Sequence, residues 1–253
     1  MRSIQAYFLP ALAPADDLVG AAVVVIDVLR ATTVIAHALA AGAREVIACL
    51  EVEDALRTAA GLPEGEAVLG GERDGLKIDG FDFGNSPAEY NRAAVGGKTL
   101  VFTTTNGTKA MRHCRQARRL LLGAFVNATA VVDAVRGESR LRILCAGTRG
   151  EVTREDALFA GLLADCLLGD SDAAGMACEV NDQLLIARGA WQAFRHGLAG
   201  GDAARGLAAT LRETQGGRNL RRIGLDRDID AAAQLDRFNL VPRMDLGDWR
   251  ITA

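Results

Sequence analysis

The sequence predicts an α/β protein of three layers, with a mixed, largely parallel sheet covered by helices on both faces and a helical C-terminal part packed against it. Two observations carry that expectation. Through the first two thirds of the chain, apolar β-branched runs alternate with alanine-rich helical patterns, the order that strand–helix–strand connections produce. The runs are apolar without strict alternation, as strands read when both of their faces are buried. The 253 residues are 49% hydrophobic and 24% charged, enough for one sizeable core.

Taken in order, the expected strands span residues 4–9, 22–28, 45–48, 67–69, 99–103, 119–122 and 141–145. The helices between them span 31–41, 52–60, 87–95, 107–113, 127–135 and 154–168. Their ends carry local signals. Gly42 follows the first helix as a C-cap. Ser86-Pro87-Ala88-Glu89 has the pattern of a capping box with proline at the first helical position. Thr153 stands three residues before Asp156, another helix-start signature. After about residue 175 the pattern turns helical, at 181–195, 203–213 and 226–235. Glycine-rich joints fall at 197–201 and Gly216-Gly217, and a short extended segment, Leu240-Val241, precedes Pro242. The expected organisation is a single domain, 1–253, whose residues 1–175 form the sheet and whose residues 176–253 are mainly helical.

Composition narrows the function. The net charge of -3 and pI near 5.7 give no basic stripe, and the arginine clusters at 112–119 and 218–227 read as solvated faces, so no nucleic-acid partner is expected. The five cysteines, Cys49, Cys114, Cys145, Cys166 and Cys178, are odd in number and form no CxxC, which suits reduced thiols in a cytoplasmic protein. The first residues show no leader pattern, and no apolar run reaches the ~18 residues of a membrane span.

Three segments share one design, an apolar strand running into a small, hydroxyl-rich turn and then a helix. They are Val23 to Thr33, Leu100 to Thr108 and Ile143 to Gly150. In open α/β sheets ligands bind beyond the carboxyl ends of the strands, where free helix-start N–H groups suit anions. Thr32, Thr33, Thr104, Thr105, Asn106, Gly107, Thr108, Gly147 and Thr148 are therefore the expected substrate contacts, although any one such turn could be only a cap. Three together could hold two anionic groups. Asp27 ends the first of these strands, where an acid is costly unless used or paired, and Arg30 is placed to clamp an oxyanion. Asp27, Glu72 and Asp156 are the candidate ligands for a hard cation such as Mg2+. Asp27, Arg30 and Glu72 are the expected catalytic residues, Asp27 either attacking phosphorus or holding the metal.

Sharper motifs fail on inspection. Gly96-Gly97-Lys98-Thr99 imitates the end of a P-loop, but Arg92 stands where its first glycine belongs. Cys145 lacks the arginine six residues on that a thiol phosphatase needs, since Glu151 is there, and Leu29 stands where an aspartyl phosphatase has its second aspartate. His37, His113 and His196 show no ligand spacing.

In order along the chain, Val25 to Thr33, Gly71-Glu72-Arg73, Gly80 to Pro87, Thr103 to Thr108, Cys145 to Thr148, Glu155-Asp156 and Val241-Pro242 resemble the 2-phosphosulfolactate phosphatase family. The resemblance implies a three-layer fold and Mg2+-dependent hydrolysis of 2-phospho-3-sulfolactate to 3-sulfolactate and inorganic phosphate, in methanogens a step of coenzyme M biosynthesis. It adds Asn85 and Ser86 to the expected substrate contacts. The chain departs from the family pattern at Gly216-Gly217-Arg218, where a serine and a lysine-bearing stretch are expected. Two readings compete: a lyase or isomerase of a phosphorylated acid, or a binding module without turnover. A homodimer is the expected assembly.

Overall fold

The structure, a computed structural model, describes residues 1–173, 177–198 and 202–253. Its strands are β1 (Arg2–Tyr7), β2 (Ala22–Ile26), β3 (Glu45–Ala48), β4 (Ala67–Arg73), β5 (Leu76–Lys77), β6 (Thr99–Thr103), β7 (Arg119–Gly123), β8 (Arg140–Cys145), β9 (Cys178–Val180), β10 (Arg243–Met244) and β11 (Arg250–Thr252). Its helices are α1 (Ala15–Leu18), α2 (Ala31–Ala40), α3 (Val52–Ala60), α4 (Arg92–Val95), α5 (Gly107–His113), α6 (Ala128–Val135), α7 (Arg154–Ala173), α8 (Asp182–Gly197), α9 (Ala203–Arg212), α10 (Gln215–Arg222) and α11 (Asp226–Ala232). No helix among the described residues is long and apolar enough to cross a membrane.

The strands form one sheet in the order β5-β4-β6-β3-β11-β10-β7-β2-β8-β1-β9. Pairing is parallel within β4-β6-β3 and within β7-β2-β8-β1-β9. The antiparallel β10-β11 hairpin joins the two parallel halves, pairing with β7 on one side and β3 on the other. The mixed, largely parallel sheet with helices on both faces is the expected architecture.

Alternation along the central strands shows how the halves are arranged. Val24 and Ile26 face a core built with α6 and α7, whereas Val23 and Val25 face a core that also holds Leu100 and Phe102 of β6, Val34 and Ile35 of α2, and Met111 of α5. Successive side chains point to opposite faces, so the two halves of the sheet curl around α2 and α5 and share one core. Val101 of β6 and Ile47 of β3 face outward, against Ala55 of α3. This curl brings the ends of β2 and β6 together although four strands stand between them in the sheet order.

Several elements differ from expectation. Residues 87–95 form a 3-10 turn (Pro87–Glu89) and the short α4 instead of one helix. Tyr90 is drawn inward, bonding its hydroxyl to the Gly84 carbonyl, and Asn91 starts a new helix by accepting from the N–H groups of Ala93 and Ala94. Gly216-Gly217 is the start of α10 and not a joint: the Thr214 hydroxyl caps it, accepting from Gly217 N at 3.1 Å. A β-carbon at Gly216 would lie 2.0 Å from Glu155 Oε1, so glycine there permits close packing. Of the joint expected at 197–201, residues 199–201 lie outside the described residues. The C-terminal third also supplies β9, β10 and β11, strands too short to show a period.

His37 of α2 is 8% exposed, its ring edge-on to Phe238 at 4.8 Å and its Nε2 without a partner. Burial, helped by Arg237, holds its pKa down at about 4. The unfolded chain takes up this proton near pH 6.5 and the folded chain only near 4. Stability is therefore fully present above 6.5 and falls as pH drops through that window, by about 2 kcal/mol at pH 5. Buried carboxylates with raised pKa values act in the opposite sense, so the expected result is a difference. His37→Phe should lose about 2 kcal/mol less than the unmodified protein between pH 7.5 and 5 in urea unfolding. Equal losses would reject His37 as the source.

Candidate active site

The turns after β2, β4, β6 and β8 open on one cleft. Asp27, Arg30, Glu72, Asn85, Thr105 and Asn106 line it, together with Thr148. Seven of the residues expected from the sequence thus meet at one place.

Asp27 leaves β2 buried, 7% exposed, and its Oδ1 accepts from Ala31 N at 3.2 Å in the first turn of α2. Burial pushes its pKa up to about 7, and the charges of Glu72 and Glu155 add to that rise while Arg30 opposes it. Gly107 makes room for it: a β-carbon there would stand 2.6 Å from Ala31 Cβ and 2.8 Å from Asp27 Oδ2. Glu72 reaches across from β4. Its Oε1 accepts from Thr105 N and its Oε2 from Gly75 N, both at 2.7 Å, so it fixes the turn after β6 to the β4-β5 turn. Arg30, 4% exposed at the start of α2, gives Nη1 to Asp228 at 2.7 Å and Nη2 to the Gly75 carbonyl at 2.9 Å.

Other expected contacts lie behind the cleft wall. The Thr32 hydroxyl accepts from Asp27 N and lies 2.8 Å from the Gly123 carbonyl, and the Thr33 hydroxyl donates to the Val28 carbonyl. Thr104 and Thr108 bond to one another across the first turn of α5. The Ser86 hydroxyl donates to Asp228 Oδ1 at 2.6 Å. Gly147 donates its N–H to Asp156 Oδ2 at 3.1 Å. These groups shape the turns and leave the cleft contacts to their neighbours.

Asp156, a candidate cation ligand, takes a different place. It is buried at the start of α7, and its Oδ1 accepts from Val28 N at 2.9 Å. With Oδ2 on Gly147, it staples the turn after β2 to the turn after β8. Burial, with the nearby charges of Asp27 and Glu155, raises its pKa well above the usual carboxylate range. Among the described residues no group of three or more acidic, histidine or cysteine side chains is arranged to hold a metal. Asp27 and Glu72, which both line the cleft, fit a different design: Mg2+ is commonly held by one or two carboxylates, with substrate oxygens and waters completing its shell.

Several site residues were not found by sequence reasoning. Arg222 and Asn219 of α10 line the cleft, as do Arg149 and Asp74, whose side chains pair at 2.7 Å. Arg222 falls in the 218–227 cluster expected to be a solvated face. Glu155 lies beneath α10, fully buried, with Oε2 unpartnered, and burial raises its pKa. Asp228 had no local signal at all.

The sequence matches the profile of a family described as 2-phosphosulpholactate phosphatase over residues 7–247. It is 39% identical over 230 residues to a protein of Symbiobacterium thermophilum named probable 2-phosphosulfolactate phosphatase, covering 90% of this chain and 93% of that one. Proteins with the same name in Deinococcus radiodurans and Prochlorococcus marinus are 42% identical over 228 residues (88% of each chain) and 41% identical over 226 residues (87% of this chain and 88% of that one).

Proposed function

Because the chain belongs to the 2-phosphosulfolactate phosphatase family, we propose that it hydrolyses 2-phospho-3-sulfolactate, or a similarly small phosphorylated acid, to 3-sulfolactate and inorganic phosphate with Mg2+. The observation that carries this reading is the meeting of Asp27, Glu72 and Arg30 with the turns after β6 and β8 in one cleft. Two buried carboxylates beside an anion site repel an anionic ligand unless a cation lies between them.

Asp27 and Glu72 are the residues that would hold Mg2+, which supplies charge neutralisation for the phosphoryl oxygens. The rest of the work is positioning, the main demand of phosphoryl transfer. Arg30 offers the guanidinium donors left over from Asp228 and Gly75, while Thr148 and Asn106 border the same space. Asn219 and Arg222 of α10 and Arg149 after β8 offer donors to the second acidic group of the substrate. Asp27 acts as a cation ligand in this scheme and not as the group that attacks phosphorus.

Purified protein with Mg2+ is expected to release phosphate and sulfolactate from phosphosulfolactate in equal amounts. A chelator should lower the rate by about 100-fold or more, and added Mg2+ should restore it. An unchanged rate in chelator would remove the metal from the scheme. No release with Mg2+ present would remove the substrate.

A further inference from the structure

We propose that Asp228 is a positioning residue for the anion site, acting through Arg30. The inference rests on the phosphatase reading for its catalytic consequence, but its structural content is independent of it. Arg30 lines the cleft and Asp228 stands behind it. The Arg30 Nη1 to Asp228 Oδ2 distance is 2.7 Å, and both side chains are 3% exposed. The other Asp228 oxygen accepts from Ser86 Oγ at 2.6 Å. Arg30 Nη2 is held separately by the Gly75 carbonyl at 2.9 Å.

A guanidinium carries five N–H donors in a rigid plane. Fixing two of its nitrogens, one from behind by Asp228 and one by the Gly75 carbonyl at the cleft wall, sets that plane, so the remaining donors present one orientation to the cleft. The anchor also joins elements remote in sequence. Asp228 sits in the first turn of α11, Ser86 enters the turn Pro87–Glu89, and Arg30 begins α2. Docking of the C-terminal helices thereby becomes a condition for an ordered Arg30. Asp228 makes no direct contact with the cleft, so its effect on an anion runs through the arginine it holds.

The sign of one measurement decides the matter. A carboxylate near an anion site opposes anion binding by its charge alone. If charge were its whole contribution, Asp228→Asn would bind inorganic phosphate more tightly. Positioning requires the opposite. Titration calorimetry of inorganic phosphate, with Mg2+ present, should show binding about ten-fold weaker in Asp228→Asn, and kcat for phosphate release should fall by a similar factor or more. Because the effect passes through Arg30, Asp228→Asn should cost nothing further in an Arg30→Met background, a non-additivity that a general loosening of the fold would not give. Ser86→Ala keeps the ion pair and should weaken phosphate binding two- to three-fold, which tests the same anchor if Asp228→Asn fails to fold. Equal or tighter phosphate binding in Asp228→Asn, additive losses in the double variant, or no phosphate binding by the unmodified protein would each overturn the proposal. If the binding results hold while unmodified protein releases no phosphate from phosphosulfolactate, the substrate reading falls and the positioning role stands.

Discussion

Asp27→Asn is expected to lower phosphate release by about 10^3-fold or more while making the folded protein more stable. Both halves of that result follow from the same geometry. The Asp27 carboxylate is buried beside Glu72 and Glu155, and burial is the largest cause of its raised pKa, about 7. Where a folded-state pKa is raised for an acid, the unfolded chain ionises first. Stability present at low pH is then lost as pH rises from the unfolded value near 4 to the folded value near 7. Asparagine has nearly the same shape, and its Oδ1 can keep the Ala31 N–H bond seen at 3.2 Å. It removes the charge and hence the cost, so the variant should gain about 1–3 kcal/mol at pH 7.5 without Mg2+, a rise of several degrees in Tm. The same change removes a cation ligand from a cleft that has two. Phosphate release and thermal unfolding, measured side by side in chelator and in Mg2+, test it. Added Mg2+ should raise the Tm of the unmodified protein and leave the variant's nearly unchanged. A variant with full activity would take Asp27 out of the chemistry altogether. A variant of lower stability would show that the carboxylate is a structural asset and not a strained functional group.

The residues that were legible in the sequence are those whose signal is local. Asp27 closes an apolar strand, and Thr105 and Asn106 stand in a turn between a strand and a helix; each can be recognised from a few neighbours, and each lines the cleft. What a turn does with its hydroxyls is only partly local. The Thr32 hydroxyl is tied to the Asp27 backbone within its own turn, but it also lies 2.8 Å from the Gly123 carbonyl of β7 across the sheet, and nothing between residues 27 and 33 records that carbonyl. Asp156 was legible as an acid at a helix start, but its partners Val28 and Gly147 come from two different turns. The Arg30–Asp228 pair spans 198 positions and leaves no pattern in either segment. The glycines of α10 read as a break because glycine usually is one; here the carboxyl of Glu155 needs the space at Gly216 and the Leu211 carbonyl the space at Gly217. The central strand β2 was legible because its unbroken apolar run, Ala22 to Ile26, is the length of a strand buried on both faces. β10 and β11, of two and three residues, carry no such run.

Those two short strands support the other large expected effect. Deleting residues 243–253 should leave a chain that does not fold cooperatively. β3 and β7 do not pair with each other; each pairs with one strand of the hairpin, in the registers Ile251↔Val46 and Met244↔Leu120. Without the hairpin the sheet separates into two parallel halves with an unpaired edge on each. Ile251 is fully buried and Met244 nearly so, both in the core that the halves share around α2. Burial of two such side chains contributes roughly 3–6 kcal/mol, and the ladder bonds and the Arg250–Glu45 ion pair add to it. A domain holds only about 5–15 kcal/mol in total, so this loss takes a large part of it. The newly exposed edges, lined by Val46 and Leu120, would also template association between chains. The expected outcome is insoluble protein or a broad, non-cooperative urea transition followed by Trp191 fluorescence. Ile251→Ala offers a graded version, with a loss of about 2–5 kcal/mol at unchanged cooperativity. A truncated chain that unfolds cooperatively at the unmodified midpoint would show that the two halves hold together without the hairpin, through the α2 and α5 core alone. The site would then owe its closure to packing and not to the continuity of the sheet.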